Sequence, residues 1–376
     1  MNQFKENVIK FVKKDTVLCV SFVLAVISVI MVPVDRQYIE YIDYRTLGLL
    51  LGLMIIMAGF QSVGMFQRLG RSLLKYVNNS RGVAGVLIFL CFFSSMFITN
   101  DVALITFVPL AMIVLKMAGL EEILVPVVVL QTIAANLGSM LLPFGNPQNL
   151  YLYGQSGMGL MEFVAVILPY GIFSFALLVI HLFLIKKTSV NLGDMKENQN
   201  YNVSEKIQIA VLVALFLLCV LAVARIFPWT YIVGIVVIVI GVMNRKLFLN
   251  VDYSLLFTFV FFFVFIGNLG RIPQFCNALE GILDGNEVIT AILASQVISN
   301  VPAALLVSGF TNQWEALIIG TNLGGLGTLI ASMASLISYK QIVASYPKEK
   351  GKYFRYFTVV NVCYLVLLVI FWGIGG

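Results

Sequence analysis

The sequence predicts an all-α polytopic membrane protein made of two inverted repeats, each with a re-entrant helical hairpin and a broken transmembrane helix. Of its 376 residues, 60% are hydrophobic and only 11% are charged, and the mean hydropathy is +0.98. Ordinary soluble domains carry about a quarter charged residues, so this composition excludes that class. The other two observations are nine long apolar stretches and a matched pair of polar breaks inside apolar sequence.

The nine apolar stretches are long enough to cross a bilayer, which takes about 20 residues in a helix. They cover residues 15–33, 45–66, 122–142, 160–186, 206–227, 229–248, 252–270, 314–338 and 354–374. A basic start precedes the first stretch and no small-residue cleavage site follows it, so we interpret it as a retained span. No polar segment is long enough for a soluble catalytic domain.

Two further apolar segments, 83–118 and 287–310, carry a polar break in the middle. The breaks are Ile98-Thr99-Asn100-Asp101 and Ile298-Ser299-Asn300-Val301-Pro302. The second segment has 24 residues, and two arms of about a dozen residues cannot each cross a ~30 Å core at 1.5 Å per residue. We therefore predict a re-entrant hairpin at 287–310. We predict the same hairpin at 83–118, which is longer, because it carries the same break.

A second polar break follows each hairpin and predicts a broken helix at 122–150 and at 314–338. One runs from Asn136-Leu137-Gly138-Ser139 to Gly145-Asn146-Pro147-Gln148-Asn149, and the other from Asn322-Leu323-Gly324-Gly325 to Ala331-Ser332-Met333-Ala334-Ser335. Unpaired backbone groups cost several kcal/mol in lipid, so such breaks survive only where they line a cavity. Breaks at corresponding places of two half-chains indicate the binding site of a secondary transporter.

Positive charge predicts the orientation. With the N-terminus in the cytoplasm and both hairpins returning to their own side, 20 of the 24 Lys and Arg residues fall on the cytoplasmic side. We therefore expect a multi-pass protein of the inner (plasma) membrane with a cytoplasmic N-terminus. The net charge of +6 reflects this topology signal, so we expect the lipid bilayer and no nucleic acid as a partner.

The order of elements divides the chain into repeats. Residues 1–187 form the first repeat, 188–228 a cytoplasmic linker with a connecting helix, and 229–376 the second repeat. Ile42-Asp43-Tyr44 precedes a span in the first half as Val251-Asp252-Tyr253 does in the second. Each repeat has an even number of crossings, so the connecting helix inverts the second repeat relative to the first. The amphipathic segments before each hairpin, 67–81 and 271–286, could link a scaffold to a moving part.

The hairpin tips offer an anion site without any Arg or Lys. Asn100 and Asn300 are good N-cap residues, and the second arm of each hairpin presents free N–H groups and the positive end of its dipole. Carbonyls at the ends of the first arms suit Na⁺. We expect no cofactor besides a coupling Na⁺ or H⁺, with a candidate Na⁺ site at Asn100, Asp101 and Asn300.

The predicted substrate and ion site consists of polar side chains and one glycine from the breaks. These residues are Thr99, Asn100, Asp101, Asn136, Gly145, Asn146, Asn149, Ser299, Asn300, Asn322, Thr328, Ser332 and Ser335. Taken singly, the Asn, Ser and Thr residues would rather be interhelical hydrogen-bond glue. Their repetition at the breaks of both halves favours a binding site.

Asp101 is the single carboxylate placed deep in the membrane. Burial of an ionised acid is costly there, and such residues mark ion or proton pathways. The alternative is that Asp101 merely caps its own half-helix. We prefer the functional interpretation, and the two roles could coincide.

These residues resemble known families. Thr99-Asn100-Asp101-Val102-Ala103-Leu104-Ile105 with Pro109 resembles the hairpin motif of ArsB-type permeases. The run from Asn136 to Asn149 is similar to a signature of citrate-transporter-like permeases in the ion transporter superfamily. Ser299-Asn300 resembles the start of a tip motif in divalent-anion/sodium symporters. The resemblance implies a homodimer through the scaffold, elevator movement of the hairpin-bearing domain, and a small anion or metalloid oxyacid driven by Na⁺ or H⁺.

The chain departs from the sodium-coupled pattern at both tips. Val301 replaces a tip Thr, and Asp101 occupies the corresponding place in the first hairpin. This favours proton coupling, or one cation site at Asp101, over coupling to two sodium ions.

Three functions remain open on this sequence. The first is a secondary anion transporter with Asp101 as the coupling site, and the second is a Na⁺/H⁺ antiporter of the same architecture. The third is an intramembrane enzyme, for which HExxH and GxSxG motifs are absent and a single His181 and a single deep Asp101 leave no acid–base pair. We expect no enzyme, although a second carboxylate beside Asp101 would reopen that alternative.

Overall fold

The computed structural model describes residues 15–190 and 201–375, and these fold almost entirely into α-helices. The first half and the connecting helix contain α1 (Thr16–Met31), α2 (Gln37–Glu40), α3 (Tyr44–Ser62), α4 (Met65–Leu74), α5 (Ser80–Ile98), α6 (Asn100–Met117), α7 (Leu124–Ser139), α8 (Pro147–Ser156), α9 (Leu160–Leu184) and α10 (Val203–Val223). The second half contains α11 (Trp229–Asn244), α12 (Tyr253–Leu269), α13 (Pro273–Leu283), α14 (Glu287–Ile298), α15 (Asn300–Ser308), α16 (Trp314–Leu323), α17 (Met333–Ser345) and α18 (Lys350–Gly373).

The predicted fold class, an all-α polytopic membrane protein, is confirmed. Within the described ranges, eight helical segments are long and apolar enough to cross a membrane, or nine if α12 and α13, which are bent by 102°, form one span. The number agrees with the prediction, but the segments differ. α5 and α6 both reach spanning length, whereas α1 is a shorter apolar helix of 16 residues.

The scaffold is formed by helices that pair across the two halves. α1 packs along α12, and α3 packs against α10 and α11. Asn268 of α12 donates hydrogen bonds to Ser28 Oγ of α1 (3.0 Å) and to Tyr38 OH (2.9 Å). Where α3 meets α11, the ring of Trp229 lies over Gly48, a position without room for a Cβ. Each half therefore completes the other, and neither forms the scaffold alone.

Short amphipathic helices precede both hairpins, as the sequence predicts, and each is anchored by an arginine. Arg68 of α4 forms a salt bridge of 2.8 Å with Glu205 at the start of α10. Arg271, at the bend before α13, forms one of 2.8 Å with Asp35 and donates a hydrogen bond to Tyr41 OH. These salt bridges tie α4 and the start of α13, which we call the arms of the scaffold, to the rest of the scaffold at opposite ends of the molecule.

The polar breaks of both hairpins have the same backbone conformation. Thr99 has φ 67° and ψ 152°, and Ser299 has φ 75° and ψ 154°. Positive φ is uncommon for residues other than glycine and occurs where the surrounding structure imposes it. The prediction that Asn100 and Asn300 are the N-caps is therefore wrong by one residue. Thr99 and Ser299 are the N-caps, because the chain reverses there, and the asparagines begin helices α6 and α15.

The arms of the two hairpins differ in length. α14 and α15 have 12 and 9 residues, too short to cross, whereas α5 and α6 have 19 and 18. Length therefore supports a re-entrant hairpin only in the second half. The tip of the first hairpin nevertheless meets α7 at its internal break, since Asn100 donates a hydrogen bond to Asn136. This contact places the tip level with the break that follows α7, and re-entry of 83–118 stays a prediction.

Both broken helices are interrupted where the sequence predicts. Residues 140–146 separate α7 from α8, and residues 324–332 separate α16 from α17. A glycine lets each hairpin approach closely: a Cβ at Gly138 would overlap the carbonyl oxygen of Phe92, and one at Gly324 would lie 2.6 Å from Ser295 Oγ. The breaks are thereby packed against the hairpins.

Candidate functional site

Asn136, near the end of α7, is the centre of a buried polar network. Its Oδ1 accepts hydrogen bonds from Asn100 Nδ2 and from Ser332 Oγ, both at 3.0 Å. Its Nδ2 donates to the carbonyl of Gly325 at 3.5 Å. One side chain thus joins the tip of the first hairpin to the unwound segment of the second half. We call Asn136, Asn100 and Ser332 the first asparagine cluster.

Asn322, at the end of α16 in the second half, makes the equivalent contacts to the first half. Its Oδ1 accepts a hydrogen bond from Asn146 Nδ2 at 3.2 Å, and its Nδ2 donates to Asn149 Oδ1 at 2.6 Å. Asn146 is the N-cap of α8, just as Ser332 is the N-cap of α17. An asparagine near the end of the first segment of each broken helix is therefore hydrogen-bonded to the N-cap residue of the second segment of the other broken helix. Asn322, Asn146 and Asn149 form the second asparagine cluster.

The second hairpin tip contacts the unwound segment of its own half. The backbone N–H of Asn300 donates to the carbonyl of Ala331 at 2.9 Å, and Ser299 Oγ makes a weaker bond of 3.4 Å to the same oxygen. A Cβ at Gly325 would lie 3.0 Å from Asn300 Nδ2. Ser299, Asn300 and Ser332, which the sequence predicts as site residues, are thus brought together.

Some backbone N–H groups expected to be free for an anion are already engaged. Asp101 N donates to Asn100 Oδ1 at 2.9 Å, and Asn149 N donates to Asn146 Oδ1 at 2.9 Å. The N–H of Asn300 is held by Ala331. Polar breaks buried in protein satisfy their own backbone, which is why these donors are paired in this conformation. An incoming anion would have to exchange with these bonds or use the remaining helix-terminal donors.

Asp101 lies in a cavity of about 150 Å³ between the first hairpin and α3. Its Oδ1 is buried and has no hydrogen-bond partner within the described part of the chain. Thr99 and Asn146 line the same cavity. A buried, unpaired carboxylate oxygen beside a cavity is a candidate ligand for a proton or a cation.

Three polar residues of this cavity were not found from the sequence: Gln61, Asn250 and Asp252. They lie at the ends of scaffold elements, where a capping role is the ordinary expectation. Asp252 is indeed the N-cap of α12, and its Oδ1 accepts a hydrogen bond of 3.1 Å from Leu255 N. Asp252 is nevertheless a second carboxylate in the cavity of Asp101. The expectation of a single carboxylate there is corrected, because a cap at the membrane edge can also face inward.

Other predicted site residues lie outside the two clusters. Thr328 is bonded through its N–H and its hydroxyl to Gln296 of α14. Ser335 is fully buried, and its Oγ lacks a partner among the described residues. Gly145 contributes close packing, since a Cβ there would overlap Ser139. These three do not contact Asn136 through recorded hydrogen bonds.

Gln296 is a further residue that the sequence analysis missed. Its Nε2 donates to the carbonyls of Gly324 and Leu326, both at 3.0 Å, and its Oε1 accepts from Thr328 N at 2.9 Å. It thereby pairs the backbone of the unwound segment. The signal was a lone amide inside an apolar arm, and the corresponding position of the first hairpin is Met96.

His181 is remote from this network. Its Nε2 lies 3.0 Å from Tyr356 OH, and its Nδ1 lies 3.4 Å from Tyr364 OH. It joins α9 to α18 as a packed histidine and does not supply an acid–base partner for Asp101.

Comparison with known proteins adds a family and several relatives. The family model described as citrate transporter matches residues 8–312. An uncharacterised transporter of Methanocaldococcus jannaschii is 30% identical over 369 residues, covering 96% of this chain and 99% of that protein. The inner membrane protein YbiR of Escherichia coli is 31% identical over 310 residues, 80% of each chain. The silicon efflux transporter LSI3 of Oryza sativa subsp. japonica is 30% identical over 140 residues, 37% of this chain and 28% of that protein.

Proposed function

The chain belongs to the citrate transporter family of the ion transporter superfamily, and we propose that it is a secondary active transporter that couples the movement of a small anion to that of H⁺ or Na⁺. Membership supports transport of an anion by a multi-pass membrane protein. The substrate class is a carboxylate or an inorganic or metalloid oxyanion, and the coupling residue is Asp101.

The observation that carries this proposal is the position of Asn136. It is hydrogen-bonded both to the tip of the first hairpin and to the N-cap of α17 in the second half. Secondary transporters place substrate and ion between two repeats, where discontinuous helices end in the membrane. The two asparagine clusters have this arrangement, and their donors and acceptors belong to elements of both halves.

The chemistry of the clusters favours an anion held by dipoles instead of by full positive charges. Their side chains are amides and a hydroxyl, and the helices α6, α8, α15 and α17 begin within or beside them. Helix N-termini bind anions through free N–H groups and the positive end of the dipole. A relative is named a silicon efflux transporter, so oxyacids of metalloids belong in any substrate panel beside carboxylates.

Asp101 supports coupling because it is positioned to gain and lose a cation. Asp101 lines the cavity, its Oδ1 has no partner among the described residues, and its backbone N–H is bonded to Asn100 Oδ1. Binding of a proton or Na⁺ to Asp101 would therefore alter the residue next to Asn100, which holds Asn136. Charge neutralisation at Asp101 and substrate binding at the first asparagine cluster are joined by one short chain of bonds.

We also propose that the protein is a homodimer in the plasma membrane with a cytoplasmic N-terminus, and that it works by an elevator mechanism. The reciprocal pairs α1–α12 and α3–α11 make one scaffold. The hairpins and broken helices make a second body attached through the arms α4 and α13. Such a division suits sliding of the second body against the first.

The Na⁺/H⁺ antiporter is the second candidate, and one observation favours it. Asp101, Asp252, Gln61 and Asn250 bring two carboxylates and two amides to one cavity. Oxygen ligands of this kind suit a hard cation. In an antiporter, Na⁺ and H⁺ would compete for Asp101 and no anion would be carried. The second carboxylate, Asp252, also meets the condition that reopens the intramembrane enzyme, but the transporter family and the transporter-named relative favour transport.

Proton flux in proteoliposomes tests the proposal. Purified protein is reconstituted with a pH-sensitive dye inside the vesicles. Citrate, dicarboxylates, phosphate, sulfate, arsenite and silicic acid are then added one at a time, followed by Na⁺ and Li⁺ chlorides. We expect proton movement with one class of anion and none with the chlorides. Movement with Na⁺ or Li⁺ alone would establish the antiporter in its place, and silence with every anion, with and without a Na⁺ gradient, would contradict anion transport.

A further inference from the structure

The two halves place equivalent residues at the two faces of the scaffold. Helices α3 and α12 both begin after an N-cap aspartate, Asp43 with φ −79° and ψ 87° and Asp252 with φ −79° and ψ 81°. Helices α8 and α17 begin after the N-cap residues Asn146 and Ser332, and each N-cap is hydrogen-bonded to an asparagine of the other broken helix. Counting from these caps pairs Leu150 with Leu336, Tyr153 with Tyr339, Gly154 with Lys340, and Gln155 with Gln341.

On the face predicted to be extracellular, the residues of the first half are in contact with one another. Gln155 Nε2 donates to Asp43 Oδ2 at 3.0 Å, so α8 is tied to the start of α3. The guanidinium of Arg45 lies beside Gly154, where a Cβ would be 3.2 Å from Nη1. α3 packs against α8 and α12 against α15, so both parts of the scaffold contact the hairpin-bearing body here.

On the face predicted to be cytoplasmic, the equivalent residues are apart. A cavity of about 260 Å³ separates α12 from α17, and Asp252, Ser254, Leu336 and Lys340 line it. Gln341 Oε1 is buried without a hydrogen-bond partner in the described ranges. The bond recorded for the Asp252 side chain is its own helix cap. Among residues 15–190 and 201–375, the contact that closes the extracellular face therefore has no equivalent here.

Asp252 connects this opening to the candidate coupling residue. It lines both the 260 Å³ cavity and the 150 Å³ cavity that contains Asp101. Leu255, one helical turn further along α12, also lines both. The neighbouring cavities lead from the cytoplasmic face past Asp252 to Asp101.

The charges at the two faces are complementary in the same way. At the extracellular face, the cation Arg45 is on the scaffold and faces Gly154 of α8. At the cytoplasmic face, Ser254 is the scaffold residue equivalent to Arg45, and Lys340 of α17 is the residue equivalent to Gly154.

The outer set also contains Arg225, a second scaffold cation, which donates to the carbonyls of Tyr153 and Gly154. The inner cavity also contains a second carboxylate, Asp15, so the cations lie on the scaffold at the outer face and on α17 at the inner face. Carboxylates and cations therefore occur together at both faces, which is a reason to assign both sets the same role.

We propose that Asp43 and Gln155 form an outer gate, and that Asp252, Lys340 and Gln341 form an inner gate that is open in this structure. When the hairpin-bearing body moves outward, Gln155 leaves Asp43, and Gln341 and Lys340 bind Asp252. The cation route to Asp101 then closes at the cytoplasmic face. This assignment deepens the proposed transport function and rests on it for the purpose of the gates.

Cysteine accessibility tests the two gates without any substrate. In full-length protein with the five native cysteines replaced, Leu336→Cys reports the inner cavity, and Leu150→Cys is its matched outer control, since Leu150 is 1% exposed. A membrane-impermeant maleimide is applied to oriented vesicles from either face. We expect Leu336→Cys to react from the cytoplasmic face at least tenfold faster than Leu150→Cys reacts from the outside. Equal rates, or faster reaction of Leu150→Cys, would overturn the assignment.

Variants of the gates then separate their roles. Gln155→Leu combined with Arg225→Ala removes the outer bonds of both side chains to their partners, so it should raise the labelling of Leu150→Cys and lower that of Leu336→Cys several-fold. Gln341→Leu should leave Leu336→Cys fully reactive, because it weakens the gate that is already open. Identical labelling in the two variants would contradict the proposal. If labelling follows the gates but no anion is carried, the gates stand and the anion function fails.

Discussion

Asn136 Oδ1 and Ser332 Oγ, 196 positions apart in the chain, share a hydrogen bond of 3.0 Å in the interior of the protein. The same Oδ1 also accepts from Asn100 Nδ2. A buried amide that is hydrogen-bonded to two different elements fixes the position of one element relative to the other. This bond therefore couples the first hairpin to the second broken helix, and it is the natural place to probe the candidate site.

Replacing Asn136 with alanine should abolish transport with only a modest loss of stability. The variant leaves Asn100, Ser332 and the carbonyl of Gly325 without this partner. Hydrogen bonds between membrane helices contribute about 0.6 kcal/mol on average, so we expect a loss of about 1–2 kcal/mol. Thermal unfolding in detergent and anion uptake in vesicles measure both effects.

Asn361→Ala is the matched control, because Asn361 is equally buried but donates only to Phe357 of its own helix α18. It should keep near-normal transport. Full activity of Asn136→Ala, or an equal loss in both variants, would mean that Asn136 has no special role in transport.

Alanine at Gly138 or Gly324 should separate the hairpins from the broken helices. The new methyl group would meet the carbonyl of Phe92 in one case and Ser295 Oγ in the other. Overpacking of this kind costs about 1–3 kcal/mol, and both variants should unfold at lower temperature than the wild type. Gly234→Ala and Gly351→Ala, where nothing lies within 4 Å of the added carbon, are the controls. Equal melting temperatures in all four would refute the close approach.

Gln296→Ala should loosen the unwound segment of the second half. The backbone carbonyls of Gly324 and Leu326 lose their donor, and buried polar groups left unpaired cost about 1–3 kcal/mol each. We expect faster hydrogen exchange at residues 324–332 and slower transport. The exposed Gln313 provides a control, as Gln313→Ala removes an amide at the start of α16 that makes no side-chain cap bond. Unchanged exchange in Gln296→Ala would show that other contacts hold this segment.

The sequence predicted much of the fold for a simple physical reason. Apolar length, positive-charge bias and polar interruptions respond to the bilayer itself, so they can be interpreted one segment at a time. The breaks around Thr99 and Ser299, and those before Asn146 and Ser332, are present where they were expected. The repeat boundaries and the roles of the site residues stay predictions.

Other features depend on partners far away in the chain. The shift of the N-caps to Thr99 and Ser299 arises from the sharp reversal that packing imposes on the tips. Gln296 was visible in the sequence only as a lone amide in an apolar arm, and its role could not be predicted because its partners are carbonyls 28 and 30 residues further on. Asp252 was noticed only as part of a repeated pattern, and its place in the cavity of Asp101 follows from how the halves pack.

The most direct test of the account is uphill anion uptake by wild-type protein and by Asp101→Asn. Vesicles carrying the protein are given a one-unit inward proton gradient and the anion identified by the flux panel, with the membrane potential clamped. If one proton accompanies each anion, the gradient supplies about 1.4 kcal/mol and sustains about a tenfold accumulation.

We predict that the wild type accumulates the anion and that uptake falls as the external pH rises toward the internal value. Asp101→Asn should fold normally and equilibrate the anion without accumulating it, at a rate independent of pH. Asp284→Asn, at the exposed end of α13, should behave like the wild type. Gradient-driven accumulation and pH dependence preserved in Asp101→Asn would contradict the coupling role of Asp101.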